Sequence, residues 1–202
     1  MKKILVTGGA GFIGSHILEK CSEVPGLSVT VLDNLSSGFK EYVPLSMNLV
    51  QMDVRDKALI DFLLQEKFDT VIHLAAQTLV PFSMEYPLVD ADINIKGLIN
   101  LLEGCRKSGV KRIIFSSSAA VYGDNQHLPL TEKEIPAPTS FYGLSKVTAE
   151  SYIRLYCLLY GMHGIILKRV RAVSSVFLPV FFTNISPLPF LATVSRPGTL
   201  FM

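Results

Sequence analysis

The sequence offers little to support a metal, disulfide, membrane or nucleic-acid function. It has three cysteines and four histidines, and none of them has the spacing of a metal site or a CxxC pair. Scattered cysteines are typical of thiols in a reducing compartment. The apolar run after Met1-Lys2-Lys3 is too short for a signal peptide, and no run is long enough to cross a bilayer. A net charge of +2 predicts no nucleic-acid surface. We therefore expect a cytoplasmic protein without metal, membrane or nucleic-acid partners.

The most informative pattern is a glycine turn near the N-terminus. Gly8, Gly11 and Gly14 follow the apolar run Ile4-Leu5-Val6, in the order of a buried strand, a tight turn and a helix start. Such glycines let the backbone approach a pyrophosphate, which binds the free N–H groups at the helix N-terminus. Asp33 ends the next apolar run, where a carboxylate would bind a ribose 2′-hydroxyl. Together these features predict a dinucleotide site rather than a plain glycine-rich turn.

Strand and helix patterns alternate along the chain. The predicted strands are Ile4–Val6, Val29–Leu32, Leu49–Met52, Thr70–Leu74, Arg112–Phe115 and Gly164–Leu167, and the predicted helices are 11–22, Lys57–Glu66, Pro87–Ser108 and Ser140–Tyr160. This alternation predicts an α/β fold with a Rossmann-like, doubly wound parallel sheet.

Tyr142 and Lys146 are the strongest candidates for acid–base chemistry. They are four residues apart, so they share one face of the predicted helix. A protonated lysine near a phenol lowers the pKa of the phenol, which makes the tyrosinate a usable base. The triplet Ser116–Ser118 ends the preceding strand, at the edge where ligands bind in open parallel sheets. We expect these groups to meet there, and we expect His73 to be a hydrogen-bonded strand-end histidine rather than a base.

Several ordered motifs resemble the extended short-chain dehydrogenase/reductase superfamily, and within it the NAD-dependent epimerase/dehydratase family. The motifs are the GxxGxxG turn, Asp53-Val54, His73-Leu74-Ala75-Ala76, Asn94, Ser116-Ser117-Ser118 and Tyr142-Gly143-Leu144-Ser145-Lys146. The resemblance covers residues 1–168 and is strongest to nucleotide-sugar epimerases of the UDP-glucose 4-epimerase type. It implies bound NAD, a nucleotide-sugar (UDP-hexose) substrate and a homodimer.

The resemblance also implies roles for individual residues. Ser118, Tyr142 and Lys146 would be catalytic, with Ser118 bonded to the sugar oxygen. Asp53 would accept a hydrogen bond from the adenine amine, and a helix N-cap remains an additional role for it. The cofactor-binding set is Gly8, Gly11, Phe12, Ile13, Gly14, Asp33, Asn34, Asp53, Val54, Leu74, Ala75, Ala76, Asn94, Ser116, Tyr142 and Lys146.

Residues 169–202 differ in character from the predicted NAD-binding domain of residues 1–168. The last acidic residue is Glu150, and the segment after Val170 contains four prolines and apolar clusters without a helical or strand period. It departs from the tyrosine-containing strand and the substrate lobe that the family would supply. A frame slip or a truncated gene is one interpretation, and a genuine divergent tail is the other.

Three functions remain open from the sequence. The run Ser118-Ala119-Ala120 resembles that of an epimerase and lacks the acid that dehydratases use to eliminate water. A nucleotide-sugar decarboxylase or reductase would share every motif. A non-catalytic NAD-binding remnant is the alternative outside enzymes, since the sugar-binding part is not recognisable.

Overall fold

The structure, a computed structural model, describes residues 2–126, 130, 131 and 133–168. The predicted tail of residues 169–202 lies outside the described residues. The strands are β1 (Lys2–Thr7), β2 (Leu27–Asp33), β3 (Asn48–Gln51), β4 (Thr70–His73), β5 (Arg112–Ser116) and β6 (His163–Leu167). The helices are α1 (Phe12–Ser22), α2 (Ala58–Glu66), α3 (Val80–Glu85), α4 (Pro87–Ala91), α5 (Gly97–Ser108) and α6 (Phe141–Tyr160), with a π-helical turn at Asp92–Lys96 between α4 and α5.

The six strands form one parallel sheet in the order β3-β2-β1-β4-β5-β6. The order reverses at β1, whose last residue Thr7 pairs with Leu32 of β2 and with His73 of β4. In open parallel sheets a ligand binds at the carboxyl ends of the strands beside such a reversal. The predicted Rossmann-like fold is confirmed, and the topology places the glycine turn after β1 at that point.

Alternate residues of each central strand pack on opposite faces of the sheet, because side chains in a strand alternate between its faces. Leu5, Val71 and Ile113 belong to a core that includes residues of α2, α5 and α6. Ile4 and Ile72 belong to a second core, which includes residues of α1. Both faces of the sheet are therefore covered, which explains why the strands appear in the sequence as continuous apolar runs.

The helical region between β4 and β5 differs from its prediction. The expected helix Pro87–Ser108 has its predicted bounds, but Asp92–Lys96 within it is π-helical, and the helix is preceded by the short helix α3, which the sequence pattern does not predict. Val89 on α4 is exposed. In α2, Leu59 and Leu63 are buried, whereas Leu64 is exposed. In the part of the chain that the structure describes, no helix is both long enough and apolar enough to cross a membrane.

Candidate active site

A cleft of about 810 Å³ opens at the carboxyl edge of the sheet. With the exception of Asn94, every residue of the predicted site lines it: Gly8, Gly11, Phe12, Ile13, Gly14, Asp33, Asn34, Asp53, Val54, Leu74, Ala75, Ala76, Ser116, Ser118, Tyr142 and Lys146. Residues from five strand ends and two helix starts therefore meet around one space, as the parallel topology requires.

The glycine turn packs so tightly that two of its glycines have no room for a side chain. Gly8 has a φ of +71°, and a Cβ added there would lie 2.5 Å from the backbone nitrogen of Ala75. A Cβ on Gly14 would lie 2.5 Å from the Cα of Gly9. Gly11 is the N-cap of α1, and no side chain caps that helix end or places an acid in its first turn. The backbone N–H groups of this turn can therefore bind an anion in the cleft.

Asp33 fixes the turn from the end of β2. Its Oδ2 accepts a hydrogen bond from the backbone of Ala10 at 2.9 Å, and its Oδ1 accepts one from the backbone of Leu35 at 2.9 Å. The side chain is largely buried but lines the cleft. A carboxylate can accept about four hydrogen bonds, so Asp33 retains capacity for a hydroxyl in the cleft.

Asp53 also lines the cleft, but it is not a helix cap. Helix α2 begins at Ala58, whose backbone N–H donates to Asp56 Oδ1 at 2.9 Å. The additional N-cap role considered for Asp53 is therefore wrong. Instead its carboxylate accepts hydrogen bonds from Arg55 and from Asn34 Nδ2, the latter at 2.8 Å. These donors hold the pKa of the Asp53 carboxyl well below its usual range.

One face of α6 holds the serine triplet through residues spaced four apart. The Ser118 side chain acts on the Tyr142 phenol and lowers its pKa. Lys146 Nζ donates to the Ser116 carbonyl at 3.2 Å, and Ser117 Oγ donates to Glu150 Oε1 at 2.6 Å. The first two residues of this series on α6 are among the predicted site residues, whereas Glu150 is not. The four-residue spacing alone could have identified it, because residues i, i+4 and i+8 share a helix face.

The acid–base properties of Tyr142 and Lys146 follow from their burial. Burial raises the pKa of Tyr142 above its ordinary value, and the nearby Ser118 hydroxyl opposes this only in part. The predicted lowering of the Tyr142 pKa by Lys146 is therefore wrong for this structure. Burial also lowers the pKa of Lys146 to about 8, because desolvation disfavours its charged form. The Lys146 ammonium nitrogen lies 5.7 Å from the centre of the Tyr142 ring, and both side chains line the cleft.

Asn94 does not line the cleft, but it supports residues that do. It lies in the π-helical turn, where its Oδ1 accepts from the backbone of Gln77 at 2.9 Å and its Nδ2 donates to the carbonyl of Gln77 at 3.0 Å. Its Nδ2 also lies 3.3 Å from Ser145 Oγ and 3.0 Å from the buried Asp90. Gln77 and Asp90 are not among the predicted site residues. Neither is Ser83, although its Oγ accepts from the backbone N–H of Tyr142 at 3.0 Å.

The expectation for His73 is confirmed. Its ring is buried at the end of β4, and its Nδ1 lies 2.7 Å from Thr7 Oγ1. Burial, assisted by the charge of Lys146, lowers the pKa of His73 to about 3. The imidazole is therefore neutral and already hydrogen-bonded, so it supports the site instead of exchanging protons with a ligand.

This histidine predicts a pH dependence of stability. The folded-state pKa of about 3 lies below the ordinary 6.5. Between these two pH values His73 is protonated in the unfolded chain and neutral in the folded chain. The stabilisation is present above pH 6.5 and is lost as the pH falls toward 3. Between pH 7 and pH 5 we expect His73 to account for a loss of about 2 kcal/mol. Urea unfolding of wild type and His73→Gln at both pH values measures this difference.

The control for that experiment is His163→Gln, because His163 is exposed on β6. It removes one histidine and should keep the wild-type pH dependence. If His73→Gln lost as much stability as wild type between the two pH values, the conclusion that His73 is neutral in the folded chain would be disproved.

Comparison with known proteins places this geometry in context. Residues 4–176 match the NAD dependent epimerase/dehydratase family. A relative in Methanocaldococcus jannaschii is 43% identical over 200 residues, which are 93% of this chain and 65% of that protein. The UDP-glucose 4-epimerase of Lacticaseibacillus casei is 39% identical over 166 residues, which are 82% of this chain and 50% of that protein.

Solved structures agree with the sequence relatives. The UDP-glucose 4-epimerase of Thermotoga maritima, solved with UDP-glucose, has a TM-score of 0.79 and 41% identity, covering 82% of this chain and 54% of that one. The UDP-glucose 4-epimerase of Thermus thermophilus, in complex with NAD, has a TM-score of 0.78 and 40% identity with the same coverage of both chains. The chain thus spans about half the length of these epimerases.

Proposed function

Because the chain belongs to the NAD dependent epimerase/dehydratase family, we propose that it forms the NAD-binding part of a nucleotide-sugar 4-epimerase acting on UDP-hexoses. The observation that carries this proposal is the convergence of Ser118, Tyr142 and Lys146 with the glycine turn around one cleft. We infer that residues 1–168 are the unit that binds the cofactor.

The residues present fit NAD. Because Gly8 and Gly14 have no side chains, the turn leaves the space that a pyrophosphate needs. The start of α1, which has no side-chain cap and no acid in its first turn, supplies N–H donors. Asp33 and Asp53 provide carboxylates for a ribose and for an adenine amine. Lys146 donates to the Ser116 carbonyl and has two further ammonium protons for the nicotinamide ribose.

Each catalytic side chain has a distinct task. The glycine turn, Asp33 and Lys146 would hold NAD, which would supply hydride transfer at the sugar carbon. Tyr142 would take the proton of the sugar 4-hydroxyl, and Ser118 would hold the same oxygen through a hydrogen bond. Since burial raises the pKa of Tyr142 in the free chain, its ionisation must be assisted by cationic groups in the assembled site.

The other members of the superfamily are the main alternative. A decarboxylase, dehydratase or reductase would use the same three side chains, and the absence of an acid next to Ser118 disfavours the dehydratase. A non-catalytic NAD-binding remnant is the second alternative. These alternatives can be distinguished by joining the chain to a substrate lobe, supplying several nucleotide sugars and identifying the products. A non-catalytic remnant would form none.

We predict that the chain binds NAD and discriminates against NADP. The 2′-phosphate of NADP would lie against the Asp33 carboxylate, and like charges placed together cost several kcal/mol. The segment that follows is Asn34, Leu35, Ser36 and Ser37, so the next base in the sequence is Lys40. Calorimetric titration with both dinucleotides measures the preference. Equal or tighter binding of NADP would show that Asp33 does not contact the ribose.

Assembly and location are further parts of the proposal. Leu88 on α4 and both Leu158 and Leu159 on α6 are exposed, and exposed large apolar side chains favour association when a partner covers them. We infer a homodimer, which a sedimentation mass of one chain would contradict. Cys21, Cys105 and Cys157 are free thiols, which supports the cytoplasm as the compartment.

A further inference from the structure

Arg55 forms a bridge between two carboxylates at the far end of the cleft from Tyr142. Its Nε and Nη2 donate to Asp53 Oδ1 and Oδ2, each at 2.9 Å, and its Nη1 donates to Asp92 Oδ2 at 2.8 Å. The backbone N–H of Arg55 also donates to Asp53 Oδ1 at 2.9 Å. One guanidinium therefore binds Asp53 in the two-pronged manner that fixes the plane of a carboxylate.

Asp53 lines the cleft and Arg55 does not. The guanidinium thus acts on a ligand through the carboxylate that it orients. A carboxylate on its own would rotate about its side-chain bonds, whereas three hydrogen bonds from one residue leave a single orientation. Because Arg55 also keeps the pKa of Asp53 low, the group presented to the cleft accepts hydrogen bonds and does not donate them.

The fourth donor to this carboxylate is replaceable. Asn34 Nδ2 donates to Asp53 Oδ2 at 2.8 Å, and Asn34 is exposed. Four donors already satisfy the lone pairs of the carboxylate, so an incoming amine must displace one of them. Arg55 cannot leave without abandoning Asp92 as well, whereas Asn34 can turn toward solvent. An amine in the cleft would therefore replace Asn34 at Oδ2.

We propose that Arg55 is a positioning residue that makes the site selective for adenine over hypoxanthine. This inference rests on the proposed binding of NAD. Adenine carries an amine that donates to Asp53, whereas hypoxanthine carries a carbonyl oxygen at the same position, which the carboxylate repels. Removing the guanidinium frees Asp53 to rotate away, so discrimination between the two bases is lost even where binding persists.

The anchor of Arg55 extends the same bridge to the π-helical turn. Asp92 is the first residue of that turn, and its Oδ1 accepts from Lys96 Nζ at 2.8 Å. Asn94, two residues further on, supports Gln77 in the cleft wall and contacts Ser145 on α6. Arg55 thus links the orientation of Asp53 to the segment that also supports the cleft beside Tyr142.

The test is calorimetric titration of the full chain with NAD and with nicotinamide hypoxanthine dinucleotide. Wild type should bind NAD about 10- to 100-fold more tightly, the range expected for one hydrogen bond to a charged group. Arg55→Gln should abolish this preference, because it should weaken the binding of NAD far more than the binding of the hypoxanthine analogue. Lys96→Gln makes the same change of charge at the other partner of Asp92 and should keep the preference within about twofold, because exposed ion pairs contribute little.

A second variant protects the test against misfolding. Asp92→Asn leaves Arg55 and Asp53 in contact and removes the negative charge that holds the outer side of Arg55, so its preference for NAD should lie between those of wild type and Arg55→Gln. The inference is overturned if Arg55→Gln weakens both dinucleotides by the same factor, which would indicate a purely structural role, or if Asp92→Asn keeps the full wild-type preference. Absence of binding to either dinucleotide by wild type would overturn the proposed function and this inference with it.

Discussion

Replacing Tyr142 by phenylalanine is expected to reduce epimerase turnover by about 10²- to 10⁴-fold, the usual contribution of a positioned general base. The assay requires a chimera that continues residues 1–167 with the C-terminal part of the Thermotoga maritima epimerase, since the chain spans about half of such proteins. The phenol contributes one hydroxyl to the cleft, so its loss should leave the affinity for NAD nearly unchanged. Turnover of UDP-galactose and calorimetric titration with NAD measure the two effects separately.

The matched control is Tyr152→Phe on the same helix. Tyr152 is half-buried and packs against the core, so this variant makes the same chemical change away from the cleft and should keep wild-type turnover. Near-native epimerisation by Tyr142→Phe would mean that another group removes the proton.

Adding one methyl group at Gly8 is expected to weaken NAD binding by about 10- to 100-fold. Gly8→Ala brings a Cβ to 2.5 Å from the backbone of Ala75, which lies in the wall of the cleft. Backbone atoms cannot rotate aside as a flexible side chain does. Overpacking of this kind costs about 1–3 kcal/mol, and every 1.4 kcal/mol lost from binding is a factor of about ten in affinity.

Gly26→Ala is a closely matched control for backbone strain. Gly26 has a φ of +74°, nearly that of Gly8 at +71°, yet a Cβ there would meet nothing within 4 Å. Both variants carry the left-handed strain of about 1–2 kcal/mol, which urea unfolding measures. We expect NAD affinity to fall in Gly8→Ala alone. Equal affinities in the two variants would show that the turn does not form the pyrophosphate site.

The fold and most of the cleft could be predicted from the sequence because they depend on local patterns. Strands buried on both faces require continuous apolar runs, such as Ile4-Leu5-Val6, and the parallel topology then brings every strand end to one edge. Tyr142 and Lys146 could be placed together because four residues make about one helical turn. These inferences need no knowledge of how distant parts of the chain pack.

The remaining features depend on tertiary contacts. Helix α3 has six residues, of which Ser83 alone is buried, so it has no apolar period to recognise. The π-helical turn is stabilised by contacts from Asn94 to residues far along the chain, which apolar spacing does not encode. The raised pKa of Tyr142 follows from burial, a property of the folded chain. An ion pair between Arg55 and the nearby Asp53 could have been predicted from the sequence. The second partner of Arg55 could not, because Asp92 is 37 residues away.

Isotope retention tests most directly whether Ser118, Tyr142 and Lys146 serve a 4-epimerase. The chimera is supplied with UDP-galactose that carries deuterium at C4, and the product is examined by NMR. We expect UDP-glucose with the deuterium still at C4 and no net formation of NADH, because the hydride leaves and returns without exchange with water. Loss of the deuterium to solvent, or a product that is not the C4 epimer, would rule out 4-epimerase chemistry at this site.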